Sequence, residues 1–158
     1  MKETKVGEIR KLITVKPAIV LEDEQVENVI KIFIDNPVIR AVYVIDEKER
    51  LVGIITMQDI LKKISIDFSS MASIYSESNS FGYKIASSRN KNTARDLMDP
   101  EIYYVLDIDP IEKAFNLLFS NKAGEIPVVD KNERLIGDLN IIELLILWHQ
   151  NYIREGAV

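Results

Sequence analysis

One pattern occurs twice in this chain at a fixed distance, and that limits its folds more than any other feature. Asp46, Glu49, Arg50, Leu51 and Gly53 recur as Asp130, Glu133, Arg134, Leu135 and Gly137, each 84 residues later. Upstream, Val20-Leu21-Glu22-Asp23-Glu24-Gln25-Val26-Glu27 echoes Val105-Leu106-Asp107-Ile108-Asp109-Pro110-Ile111-Glu112 at an offset of 85, so the first copy holds one extra residue near Asn36-Pro37. A period of this length is too long for a solenoid unit. It points to two copies of one small α/β unit.

Each copy predicts the same elements. Residues 18–22 and 102–107 are short β-type runs. Asp23 or Glu24 in one copy, and Asp109 with Pro110 in the other, signal helix starts, with Pro110 expected at the first helical position. Val26, Val29, Ile30 and Phe33, and likewise Ile111, Ala114, Phe115 and Leu118, keep helical spacing. Two strands follow, 41–45 and 51–55, joined by a charged turn from Asp46 to Arg50; the second copy gives 126–129 and 135–139. These runs are apolar on both faces, which predicts burial on both sides. A second helix begins near Met57 and near Ile141. The β-α-β-β-α unit is too small to bury much surface alone, and packing against its twin solves that.

Composition removes several function classes. The chain of 158 residues has no cysteine and one histidine, so disulfides, thiolate zinc sites, a cysteine nucleophile and two-histidine metal sites are excluded. A net charge of -5 argues against a generic nucleic-acid surface. No apolar run reaches the roughly 18 residues of a membrane span, and no apolar stretch follows Met1-Lys2-Glu3-Thr4-Lys5, so an intracellular, cytoplasmic protein is expected. Between the copies, 65–93 holds nine serines. Leu61, Ile64, Phe68, Met71 and Tyr75 keep helical spacing, which extends the second helix toward Tyr75 and leaves a loop from Ser76 to Asn92. Thr93-Ala94-Arg95-Asp96 reads as a capping box. Lys84, Arg89, Lys91 and Arg95 make a modest basic cluster, either simply solvated or anion-facing.

The repeated pattern (apolar strand, Asp, charged turn, Arg-Leu-apolar-Gly, then Thr-x-x-Asp) resembles a tandem pair of cystathionine-β-synthase (CBS) domains, a Bateman module, here standing alone. The resemblance covers about 6–64 and 94–150; the reading is CBS motif 1 over 6–64, an extended helix and Ser-rich linker over 65–93, and CBS motif 2 over 94–153. It implies an α/β (α+β) fold of two pseudo-twofold-related motifs packed through their sheets. It also implies an adenosine-type regulatory ligand (AMP, ADP, ATP or S-adenosylmethionine) in the cleft between them, no catalysis, no required cofactor and no metal.

Gly53-Ile54-Ile55-Thr56-Met57-Gln58-Asp59 matches the family's glycine-to-aspartate segment. Free N–H groups and the positive end of a helix at this junction favour an anion. A carboxylate at 59 suits ribose hydroxyls, and the Thr56 hydroxyl suits ribose or phosphate. The same tetrad also reads as a capping box that binds nothing. The resemblance places Arg40 toward ligand phosphates, where its fork engages paired oxygens; a plain surface arginine is the alternative. It places Ala18, Ile19 and Val42 as adenine walls, with core packing as the alternative.

The second copy departs from this pattern. Gly137-Asp138-Leu139-Asn140-Ile141-Ile142-Glu143 puts Asn140 and Glu143 at the Thr and Asp places. Glu125 is read at the place of Arg40, where it would repel phosphate. With Tyr103 and Tyr104 as candidate stacking partners, this second site is read as degenerate. The helix from Ile141 to about Glu155 is apolar nearly all round, which calls for a partner surface; a homodimer through helices 57–68 and 141–153 is expected, with an unidentified protein reading the signal. His149 belongs to that surface rather than to chemistry. The competing reading is an interaction or dimerisation module with vestigial sites. An enzyme lacks support: there is no phosphate-binding glycine loop and no metal cluster.

Overall fold

The computed structural model describes residues 4–12, 16–65 and 92–155. They form α1 (Val6–Ile9), β1 (Ala18–Leu21), α2 (Val26–Asp35), β2 (Ala41–Ile45), β3 (Leu51–Thr56) and α3, helical over 57–65. There follow α4 (Ala94–Leu97), β4 (Val105–Leu106), α5 (Ile111–Asn121), β5 (Glu125–Val129), β6 (Leu135–Asn140) and α6 (Ile141–Glu155). The expected course of α3 toward Tyr75, the loop from Ser76 onward (Asn92 apart) and the basic residues Lys84, Arg89 and Lys91 lie outside the described residues.

The chain divides into two compact units. An N-terminal unit gathers 18–46 with 52–100, and a C-terminal unit gathers 101–158 with 1–17 and 47–51. Each carries a three-stranded sheet, β1-β2-β3 or β4-β5-β6. The first two strands of each sheet are parallel, Ala18 opposite Val42 and Val105 opposite Val128. Parallel neighbours need a crossover, and α2 and α5 supply it. β5 and β6 pair antiparallel, Ile126 opposite Leu139. Their turn is held by Asp130, whose carboxylate accepts the backbone N–H groups of Asn132 and Arg134. Glu49 and Glu133 take positive φ at matching places, 64° and 62°, so the repeated charged turn is repeated geometry.

The cores follow the apolar periodicity. Val20, Val29, Phe33, Val42, Val44 and Ile55 close one; Val105, Ile111, Ala114, Leu118, Ile126, Val128 and Leu139 close the other. Phe115 departs from expectation and stands exposed, stacked on Phe119. Helix starts also shift. Pro110 is the N-cap of α5 rather than its first residue, and Gln25, not Asp23 or Glu24, caps α2. The strand expected over 102–107 is shorter, β4 pairing with β5 through Val105 and Leu106.

The short segments leading into each copy are exchanged. Val6 and Ile9 of α1 are buried in the C-terminal core, and Ala94 of α4 in the N-terminal one. The bonds correspond one by one: Val6 N–H to Asp109 O and Gly7 N–H to Asp107 O, as Ala94 N–H to Glu24 O and Arg95 N–H to Glu22 O. Four-residue helices are marginal alone; this docking is what holds them. The expected capping box of α4 is present, Asp96 accepting both the N–H and the hydroxyl of Thr93. Arg95, from the expected basic cluster, pairs with Glu22.

Candidate functional site

In the N-terminal unit, β3 runs straight into α3 and sets Thr56 and Asp59 on the first turn. Asp59 Oδ2 accepts the Thr56 N–H at 2.9 Å and the Thr56 hydroxyl at 2.6 Å. The pair thus makes the capping arrangement. Asp59 Oδ1 accepts from Lys62 Nζ at 3.1 Å. Burial opposes the charge on Asp59, but the bonds from Thr56 and Lys62 outweigh it and hold its pKa below the usual carboxylate range. The carboxylate is therefore ionised at neutral pH, and its side chain is 13% exposed.

The remaining predicted residues separate by exposure. Arg40 stands exposed immediately before β2. Ile19, 43% exposed, and half-buried Ala18 lie on β1. Val42, opposite Ala18, is fully buried among Val20, Val29 and Phe33, so its side chain packs the core and offers no surface.

The second copy has the same helix start with a different outcome. Asn140 Oδ1 accepts the N–H groups of Ile142 and Glu143, and Glu143 accepts the Asn140 N–H at 3.0 Å. This reciprocal cap withdraws Glu143 to 1% exposure. Tyr103 packs against the C-terminal core. The place before β5 that matches Arg40 is held by Gly124; Glu125 is the first residue of the strand, opposite Asn140. The assignment of Glu125 to that place is corrected accordingly: the one-residue shift of register falls before the strand.

Residues that pattern reading did not single out complete the C-terminal unit. Arg10, just after α1, binds both oxygens of Asp107 and donates to the Ile136 carbonyl. Its guanidinium holds the Asp107 carboxyl below its ordinary range. Asp138, replacing the Ile54 of the first copy, is pushed up to about 6 by burial and by the nearby charge of Glu143, against the pull of Arg10. A charged residue inside an apolar strand run was the available signal. Among the described residues there is no His, Cys, Asp or Glu group able to hold a metal, and no helix long and apolar enough to cross a membrane.

The C-terminal unit also carries an open apolar groove of about 1330 Å³ between α5 and α6, lined by Phe115, Phe119, Ile141, Leu144, Leu145 and Trp148.

The CBS domain family model matches residues 6–66 and 94–148. A solved CBS domain-containing protein from Thermotoga maritima is 31% identical, covers 93% of this chain and 95% of its own, and superposes with a TM-score of 0.72. CBSX2, solved in complex with AMP, shares the fold at 24% identity and a TM-score of 0.70, over 94% of this chain and 98% of its own. The CBS domain pair of protein MJ0100, solved with 5′-methylthioadenosine and S-adenosyl-L-methionine, does so at 22% identity and 0.64, over 92% and 99%. A curated relative of Methanocaldococcus jannaschii, the uncharacterized protein MJ1004, is 41% identical over 51 residues; that match spans 32% of this chain and about a quarter, 24%, of the relative.

Proposed function

The chain belongs to the CBS domain family as a tandem pair, and from that premise we infer that it is a regulatory module sensing an adenosine-type ligand at the Thr56–Asp59 helix start. One observation carries the reading. Of the two equivalent carboxylates, Asp59 is ionised and its Oδ1 accepts from the exposed ammonium of Lys62, whereas Glu143 is drawn into its own cap. Ribose hydroxyls need such an acceptor. Arg40 and the α3 start answer phosphate, and Ile19 with Ala18 offers apolar area to a purine. Structures of the same fold hold AMP, or 5′-methylthioadenosine with S-adenosyl-L-methionine, which supports the ligand class. Signalling follows if the ligand binds one conformation better than another, and a protein partner reads the difference.

Calorimetric titration of AMP, ATP and S-adenosylmethionine into wild type and Asp59→Ala tests this. Binding to wild type with a loss of tenfold or more in the variant is expected. No binding at millimolar ligand ends the reading.

A second reading, an assembly module with vestigial sites, has its own support in the exposed apolar groove of α5 and α6. The two are compatible: we propose that a second copy of the chain covers this face, over 141–153, and the α3 face, expected over 57–68, of which 66–68 lie outside the described residues.

A further inference from the structure

We propose that Lys62 is the phosphate-discriminating residue of the Asp59 site: its ammonium rests on Asp59 Oδ1 and passes to the ligand's phosphate when ribose takes that oxygen. The proposal rests on the functional reading above and names a residue it does not contain. The acceptor arithmetic leads to it. A carboxylate offers about four lone-pair directions, and both on Oδ2 are filled by the Thr56 N–H and hydroxyl. A sugar presenting two adjacent hydroxyls must therefore use Oδ1, where Lys62 donates at 3.1 Å.

The lysine is easily moved. It lies three residues beyond Asp59 on α3 and its side chain is 74% exposed, and solvent-exposed ion pairs of this kind hold weakly. Its side chain leans toward the helix start, as helical side chains do, so the released ammonium stays beside the N–H groups that face an anion. Without it, a phosphorylated ligand would bring its charge up to ionised Asp59 with that cation removed; with it, one of the negative charges is offset. The second copy supplies the contrast. Where the carboxylate is withdrawn as Glu143, the place matching Lys62 is held by Ile146. The cation accompanies only the carboxylate that a ligand can reach.

AMP and adenosine are titrated into wild type, Lys62→Gln and Lys62→Arg. Lys62→Gln should weaken AMP roughly tenfold, as expected for a lost charge-assisted bond, while adenosine binds unchanged or about twofold tighter; Lys62→Arg should keep the preference for AMP. Equal losses for both ligands would make Lys62 a prop for Asp59 and overturn the proposal. So would unchanged AMP affinity in Lys62→Gln. If wild type binds neither ligand, the functional reading itself fails and takes this role with it, an outcome visible before any variant is compared.

Discussion

Asp138 offers the sharpest test of the energetics, because it places a carboxyl where the first copy has buried Ile54. Burial and the charge of Glu143 raise its pKa from 3.8 to about 6. A carboxyl so displaced differs by about 3 kcal/mol between its charged and neutral forms. The carboxyl is only partly withdrawn from water, which reduces this to about 2 kcal/mol of destabilisation at pH 7. The sign follows from proton binding. Between the unfolded and folded pKa values the native state holds more proton than the unfolded chain, so this group's stabilising contribution is complete below pH 3.8 and is lost as pH rises through about 6. Asp138→Asn removes the charge and keeps the shape. Urea unfolding of both proteins should show the variant more stable by about 2 kcal/mol at pH 7, with the advantage shrinking to nothing near pH 4. Comparing the two proteins cancels the opposite dependence of Asp59 and Asp107, whose lowered pKa values cost stability only as the solution becomes more acidic. A variant no more stable than wild type at pH 7, or one whose advantage ignores pH, would refute the reasoning.

Two further outcomes are expected. A Cβ at residue 53 would lie 2.8 Å from the Met98 Cβ and closer still to its sulfur, so Gly53→Ala should cost about 1–3 kcal/mol by overpacking, read as a lower urea midpoint with unchanged slope. Phe119 is 77% exposed and supports little within its own unit, so a Phe119→Ser, Trp148→Ser double variant should be monomeric by light scattering at tens of micromolar, where the proposed contact makes wild type a dimer. A wild-type monomer, or a variant that still dimerises, counts against the proposed apolar contact.

How far the sequence spoke depended on distance along the chain. Local signals were readable: Thr93 and Asp96 are three residues apart, and their capping box is present. The repeat made the strands readable as well, because Asp46-to-Gly53 and Asp130-to-Gly137 each fix a hairpin. The docking of α1 was not readable, since Val6 and Ile9 find their partners around Val105 and Leu139 and four residues are too few for a period. Phe115 shows a different limit. Helical spacing gives the period of α5 but not the phase of a second apolar stripe, and Phe115 with Phe119 forms that stripe. Val42 shows a third. An apolar strand residue serves a ligand wall or a core equally well on paper, and the side chain here is in the core.

The two helix starts lead to a count. Both copies end a strand in a capped first turn, so both retain the helix that the motif builds. They differ in what the capping carboxylate has left to give. Asp59 meets the surface through Oδ1 and a displaceable lysine. Glu143 is 1% exposed and bound to the Asn140 N–H; to reach a sugar it would have to abandon that bond and leave a backbone donor unmet, at about 1–3 kcal/mol. That penalty alone lowers affinity by roughly five- to 150-fold. A single adenosine-type molecule per chain is therefore expected in calorimetry at ligand concentrations that saturate the Asp59 site. Asp59→Ala should abolish that event rather than expose a second of equal strength. Two equivalent molecules per chain would mean that Glu143 leaves its cap at little cost, and that the divergence between the copies is not what separates them in function.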